Sequence, residues 1–326
     1  AITSSGGGVS VQGSGGGVAS SIENHGVFLT SAGQVTSGGG GAVTVQGTGG
    51  IGTDFNQGVV VTGSGSRITS GGGNVLVNGQ GGNATGHGNA GVFVTEVGEI
   101  RSGGSGTVTV QGTGGAGTTS TGGVWVIGAG ARITSGGGDV QVTGQGGNGT
   151  VQSSIGVEVA WGAEITSGGG GRVTVQGSGG TGTSGNVGVW VSDEDARIIS
   201  SGGDVEVIGT AGPGGTGFGL VLDWDSRLAG TSGTFTLTLT TDSLAVDSMA
   251  TVDAGANTVV VRPRTAGTQI DLGGADVLTG SPLTLGLTDA ELDRVTAGTL
   301  TIGDAASGAM TVSAAISRPA STTVNL

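Results

Sequence analysis

The stretch Ile133–Gly147, ITSGGGDVQVTGQGG, is written again and again along this chain. ITSGGGNVLVNGQGG begins at Ile68, ITSGGGGRVTVQGSGG at Ile165, VTSGGGGAVTVQGTGG at Val35 and IRSGGSGTVTVQGTGG at Ile100, with weaker copies at Ile2 and Ile198. The starts at 2, 35, 68, 100, 133, 165 and 198 are 32 or 33 residues apart. A fixed period of this size marks a repeat architecture. A longer period lies over it. Arg67, Arg132 and Arg197 are 65 apart, as are Asn74, Asp139 and Asp204. The unit is therefore a pair of coils, written three times at 34–98, 99–163 and 164–228 without an insertion. Loops ordinarily tolerate insertion, so either the duplication is recent or the loops are themselves packed.

Within one period the chain reads as three short strands. In the fourth coil they are Glu99–Ser102, Thr107–Gly112 and Gly123–Gly128. Alternation assigns their faces, because successive strand side chains point to opposite sides. Val108 and Val110 face one way, Thr109 and Gln111 the other. Stacked coils bring like positions about 4.8 Å apart, giving continuous Val and Ile columns inside. The 79 glycines cluster at fixed turn positions without a collagen period, and mean hydropathy of +0.20 excludes a solvated low-complexity tail. Gly density and a period of two exclude helices. Three strands per 33 residues do not make a propeller blade. What remains is an all-β fold, a parallel β-helix or β-solenoid with three short strands per coil and about ten coils, roughly 50 Å long. A second region, 229–326, continues with strand-like runs and fewer glycines, and Asp289–Val295 has room for one helical turn.

Charge and composition restrict the function. The net charge of -13, with ten scattered Arg and no Lys, argues against nucleic acid. No apolar run reaches the 18 residues of a membrane span, and no basic-plus-apolar signal pattern stands at the start, which fits a removed signal or a fragment equally. Zero Cys removes disulfides and fits a bacterial extracellular protein as well as any other compartment. Catalysis on a β-helix needs clustered acids with a basic residue in a groove. His25 and His87 lie in Gly- and Asn-rich loops, and the Gly-rich turns lack a phosphate-loop Lys. The expectation is no enzyme and no required cofactor.

Three surface features stand out. The outward column of the third strand reads Phe28, Val60, Phe93, Trp125, Glu158, Trp190 and Val221. Phe28, Phe93, Trp125 and Trp190 are candidates for lateral or glycan contact, unless loops such as 47–57 and 144–155 fold back and cover them. The first-strand column, Thr3, Thr36, Thr69, Arg101, Thr134, Thr166 and Ile199, hints at an ice-binding face, but Arg101 and Ile199 break it. Aligning Arg197 with Arg227 stacks Asp193 on Asp223 and Asp195 on Asp225. Such carboxylates are a candidate Ca²⁺ site, or else a solvated acidic corner neutralised by the two arginines.

After Leu228 three segments carry a resemblance: RPRTAGTQIDLGG from Arg262, LTLGLTDAELDRVTAGTLTIGDAASGAMTVSAAIS from Leu283, and the closing TTVNL. They resemble the repeats of filamentous-haemagglutinin-like bacterial surface exoproteins, over roughly residues 260–326. The resemblance implies a right-handed β-helix, secretion to the cell surface and a role in adhesion or extracellular fibres, with no catalytic residues. The constant coil length favours a structural rod over an adhesin. AITSSGGG opens inside a repeat and STTVNL closes on a strand. The expectation is thus end-to-end stacking through Ile2, Val9, Val11, Val324 and Leu326, either between copies in a filament or onto further coils. The alternatives are a glycan-binding adhesin and, more remotely, an ice-binding protein or a polysaccharide-degrading enzyme.

Overall fold

The computed structural model describes residues 1–214, 217–319 and 321–326. From Ile2 to Val246 each coil lays one strand in each of three parallel sheets, which contain ten, eleven and eight strands in all. The chain is a parallel β-solenoid. The fourth coil places its strands at Glu99–Ser102, Val108–Thr113 and Val124–Ile127, as the alternation requires.

Register is like upon like. Ile100 sits between Ile68 and Ile133 in the first sheet. Val110 sits between Val77 and Val142 in the second, and Val126 between Val94 and Val159 in the third. These side chains form one core column after another and are inaccessible or nearly so. A β-branched residue suits each position, because it packs on the pleated surface of the rungs above and below.

Glycine fixes the corner between the second and third sheets. From Val9–Ser14 to Val205–Thr210 each second strand has an inward Gly at its penultimate position, and a Cβ on Gly144 would stand 2.0 Å from the carbonyl oxygen of Gly156. The same clash, at 2.0–2.1 Å, recurs at Gly47, Gly79, Gly112 and Gly177. Two backbones meet there with no room for a side chain, so the QG that closes so many second strands is a steric requirement.

The loops between the second and third strands are packed, and this accounts for their constant length. They stack coil on coil, with a two-stranded sheet of Ala116–Thr119 and Asn148–Gln152 and further bridges such as Gly52↔Ala84 and Asn148↔Thr181. An amide ladder runs through them. The side chain of Asn24 donates to Asn56 Oδ1 at 2.7 Å, and that of Asn56 donates to Asn89 Oδ1 at 3.2 Å. Asn56 and Asn89 are buried, so each satisfies the other’s polar groups where water does not reach.

The doubled period also has a physical cause. The outward position that opens the first strand reads Arg67, Glu99, Arg132, Glu164, Arg197 on successive rungs. Arg132 Nε lies 3.0 Å from Glu99 Oε1, and Arg197 Nε lies 2.7 Å from Glu164 Oε1. The second contact is an ion pair by distance without hydrogen-bond alignment. Signs that alternate rung by rung repeat only every second coil. Asp139 follows the same rule: its Oδ1 accepts from the Arg172 N–H at 2.8 Å, and the Arg172 guanidinium reaches Asp204 at 3.0 Å.

Beyond Leu228 the coils shorten. Arg197 pairs with Arg227 but Arg227 pairs with Thr251, so the step falls to 24 residues. The eight-stranded third sheet closes at Leu244–Val246. Gln269–Leu272, Thr284–Leu287 and Met310–Val312 form a separate parallel sheet beyond it. The helical turn falls at Asp289–Leu292, where Thr288 and Glu291 make a reciprocal capping box. Among the described residues no helix is long and apolar enough to cross a membrane.

Candidate functional site

The outer face of the third sheet changes character along the rod. In the middle coils the packed loops cover it. Trp125 is 8% exposed, Val60 and Val221 are buried, and Trp190 and Phe93 are half-buried. Trp190 donates its indole N–H to Asp223 Oδ2 at 3.0 Å, and Phe93 meets Trp125 edge-on with centroids 5.8 Å apart. Of the four residues expected to form a stripe, Phe28 alone is largely open, at 52%. It lines a recess with Phe55, Phe93, His25, Glu23 and Glu96. His25 stands 4.8 Å from Phe28, ring centroid to centroid, and burial holds its imidazole below the usual range against the pull of Glu23.

Glu158 is the exception within the covered stretch. It pairs with Trp125 on one rung and Trp190 on the next. Burial among these groups, and after it the Asp193 charge, raises its carboxyl from 4.5 to about 7. Asp276, which accepts from the Gly286 and Leu244 amides at 2.7 and 2.9 Å, is also raised by burial, to about 7.

The acidic turn follows the third strand. Asp193, Glu194 and Asp195 lie on one coil, and Asp223 and Asp225 lie on the next. Asp193 and Asp195 adopt left-handed backbone, with φ of 68° and 62°. The aspartates do not converge. Asp193 Oδ2 accepts from the Ser192 hydroxyl at 3.0 Å while Asp223 takes the Trp190 indole, and burial raises the Asp223 carboxyl despite that bond. Among the described residues no group of three or more His, Cys, Asp or Glu is placed to hold a metal ion. Asp195 and Asp225 line one recess with Arg197 and Arg227, whose direct ion pairs are with other carboxylates. Arg197 is engaged by Glu164, and Arg227 by Asp253 at 2.7 Å.

Two residues that the periodicity does not single out complete this turn. Trp161 and Trp224 are 64% and 63% exposed, with φ of 58° and 52°. They flank a recess floored by Asp193, Glu194 and Asp195. Repeat alignment passes over them because the aligned positions carry no recurring residue type, reading Glu96, Gly128, Trp161 and Asp193 on successive coils.

The first-strand threonines Thr36, Thr69, Thr134 and Thr166 are half-buried, with Arg101 exposed among them. At the two ends, Ile2, Val324 and Leu326 are 51%, 41% and 69% exposed, and Val9 and Val11 are partly covered. No family model, no curated protein and no solved structure matches the chain.

Proposed function

We propose that the chain is a non-catalytic structural rod, a subunit or segment of an extracellular fibre that extends by stacking coil upon coil. One observation carries this reading. Val9 and Val11 occupy the same columns as Val43 and Val45, yet they are only partly covered where the latter are inaccessible. Val324 likewise stands over the inaccessible Leu300 and is itself 41% exposed. These outermost rungs show how a further coil, of this chain or of another copy, would complete a core column by main-chain pairing. Contact of one end with the other is head-to-tail and does not close, so between copies it yields a filament. The charge of -13 would oppose side-by-side clumping. The resemblance of residues 260–326 to surface exoproteins supports an extracellular location. Electron microscopy and sedimentation of the purified chain test the proposal. Filaments that grow with concentration and shorten in Val11→Asp are expected; a monomer at every concentration would refute self-assembly.

A second reading, adhesion to glycan, draws support from the open recess around Phe28, Phe55 and Phe93, since aromatic faces stack on sugar rings. Its test is a glycan array with Phe28→Ala and Phe55→Ala, and a binding profile unaltered in both would reject it.

A further inference from the structure

We infer that the recess between Trp161 and Trp224 binds an organic cation of the quaternary ammonium class. Both indoles are more than three-fifths exposed, and they flank one recess whose floor is the Asp193–Asp195 turn of the coil between them. Exposed Trp in left-handed backbone has no structural use here. The equivalent turns of other coils carry Ser31 and Ala32, Glu96 and Val97, or Gly128 and Ala129, so the left-handed turn itself does not call for an aromatic ring, and a bulky residue at positive φ costs conformational energy. The core gains nothing from either ring.

The chemistry of the recess selects its ligand. Indole faces attract cations through the ring quadrupole, and Trp does so best. Glu194 and Asp195 are exposed on the recess floor. Arg197 and Arg227 pair with Glu164 and Asp253 and share a neighbouring recess with Asp195, while Asp193 and Glu194 stand outside that recess and supply the negative field. A hard metal ion needs several oxygens converging on one point, and these carboxylates do not converge. A primary ammonium would have to exchange strong hydration for the same scattered acceptors. A trimethylammonium group has no N–H to satisfy. It needs only apolar faces and a negative field, and the recess supplies both.

The probes are choline, tetramethylammonium and the uncharged choline isostere 3,3-dimethylbutanol, titrated by indole fluorescence and calorimetry. Two exposed cation–π contacts and a carboxylate field predict a dissociation constant on the order of 1–10 mM. The isostere should bind at least about tenfold more weakly. Trp161→Ala and Trp224→Ala should each weaken binding about two- to fivefold, with Trp161→Phe partly restoring it. A Glu194→Gln, Asp195→Asn double variant should weaken choline without affecting the isostere. All four sites are surface turns, and unchanged circular dichroism verifies folding. Phosphatidylcholine vesicles form the second arm: co-sedimentation assigns a lipid headgroup, and choline binding without it assigns a free cation. No saturable response to choline, equal binding of the isostere, or full binding in the Trp161→Ala, Trp224→Ala double variant would each overturn the inference.

Discussion

Glu158 makes the rod’s stability depend on pH, in the direction opposite to most carboxylates. Its side chain lies in register with Trp125 and Trp190 under the packed loops. Its carboxyl is raised from 4.5 to about 7, first by burial and then by Asp193. The sign follows from proton linkage. Between pH 4.5 and about 7 the folded chain holds a proton that the unfolded chain has released. Stability from this group is therefore intact at low pH, falls as pH rises through that window and is flat above it. A shift of that size corresponds to about 3 kcal/mol at pH 8, at about 1.4 kcal/mol per tenfold change in proton affinity. The group’s outer edge touches solvent, which brings the expected effect to about 2–3 kcal/mol. That is a large share of the roughly 5–15 kcal/mol that holds a domain together. Glu158→Gln removes the charge and keeps the shape. The variant should match the parent at pH 4 and exceed it by about 2–3 kcal/mol at pH 8. Amide exchange at Val157 and Val159, corrected for intrinsic rates, reads the effect locally and separates it from Asp276, which lies in the C-terminal coils. Urea midpoints at pH 5 and 8 read it globally. An identical pH dependence in parent and variant would refute the reasoning.

Three other outcomes are expected. Gly144→Ala puts a methyl 2.0 Å from the Gly156 carbonyl oxygen and 2.7 Å from a Val157 methyl; the loss should be about 3 kcal/mol or more, visible as a lowered melting temperature. Asn56→Ala opens the amide ladder, taking from the Asn24 backbone N–H its Oδ1 acceptor and from Asn89 Oδ1 one of its two donors. Each unpaired buried group costs about 1–3 kcal/mol, and exchange of the loop amides should accelerate before that of the core. Arg132→Glu sets three carboxylates on consecutive rungs; a loss of about 1 kcal/mol in low salt should shrink at 1 M NaCl.

The fold was legible because it rests on local regularity. A period of two within strands and of 33 between coils placed Glu99–Ser102 and its neighbours to within a residue or two. It also placed the runs Thr299–Ile302 and Thr323–Asn325. Leu244–Val246, Thr251–Asp253 and Gln269–Leu272 were not legible, because they are short and lie where the period falls to 24. The stripe of Phe28, Phe93, Trp125 and Trp190 was correctly assigned to the outer face. Alternation, however, reports only which side of a strand a residue is on, and whether a loop lies over that side is tertiary information. The Arg67, Arg132, Arg197 spacing was visible; its meaning lay in Glu99 and Glu164, which fall half a period away. Trp161 and Trp224 were missed because periodic reading finds what recurs, and a binding residue need not recur.

The alternating charges have a consequence for how the chain finds its own register. Every coil offers the next the same Val and Ile columns, so hydrophobic burial cannot tell the correct neighbour from the coil after it. A chain that skipped one coil while winding would bury its core almost as well. Charge would object. The skip would lay Arg67 on Arg132, or Glu99 on Glu164, where the native winding lays opposite signs together. A skip of two coils would restore the signs and go undetected. The column thus acts as a parity check on a nearly degenerate template, rejecting odd errors and passing even ones, and it is written only where the repeats are most alike.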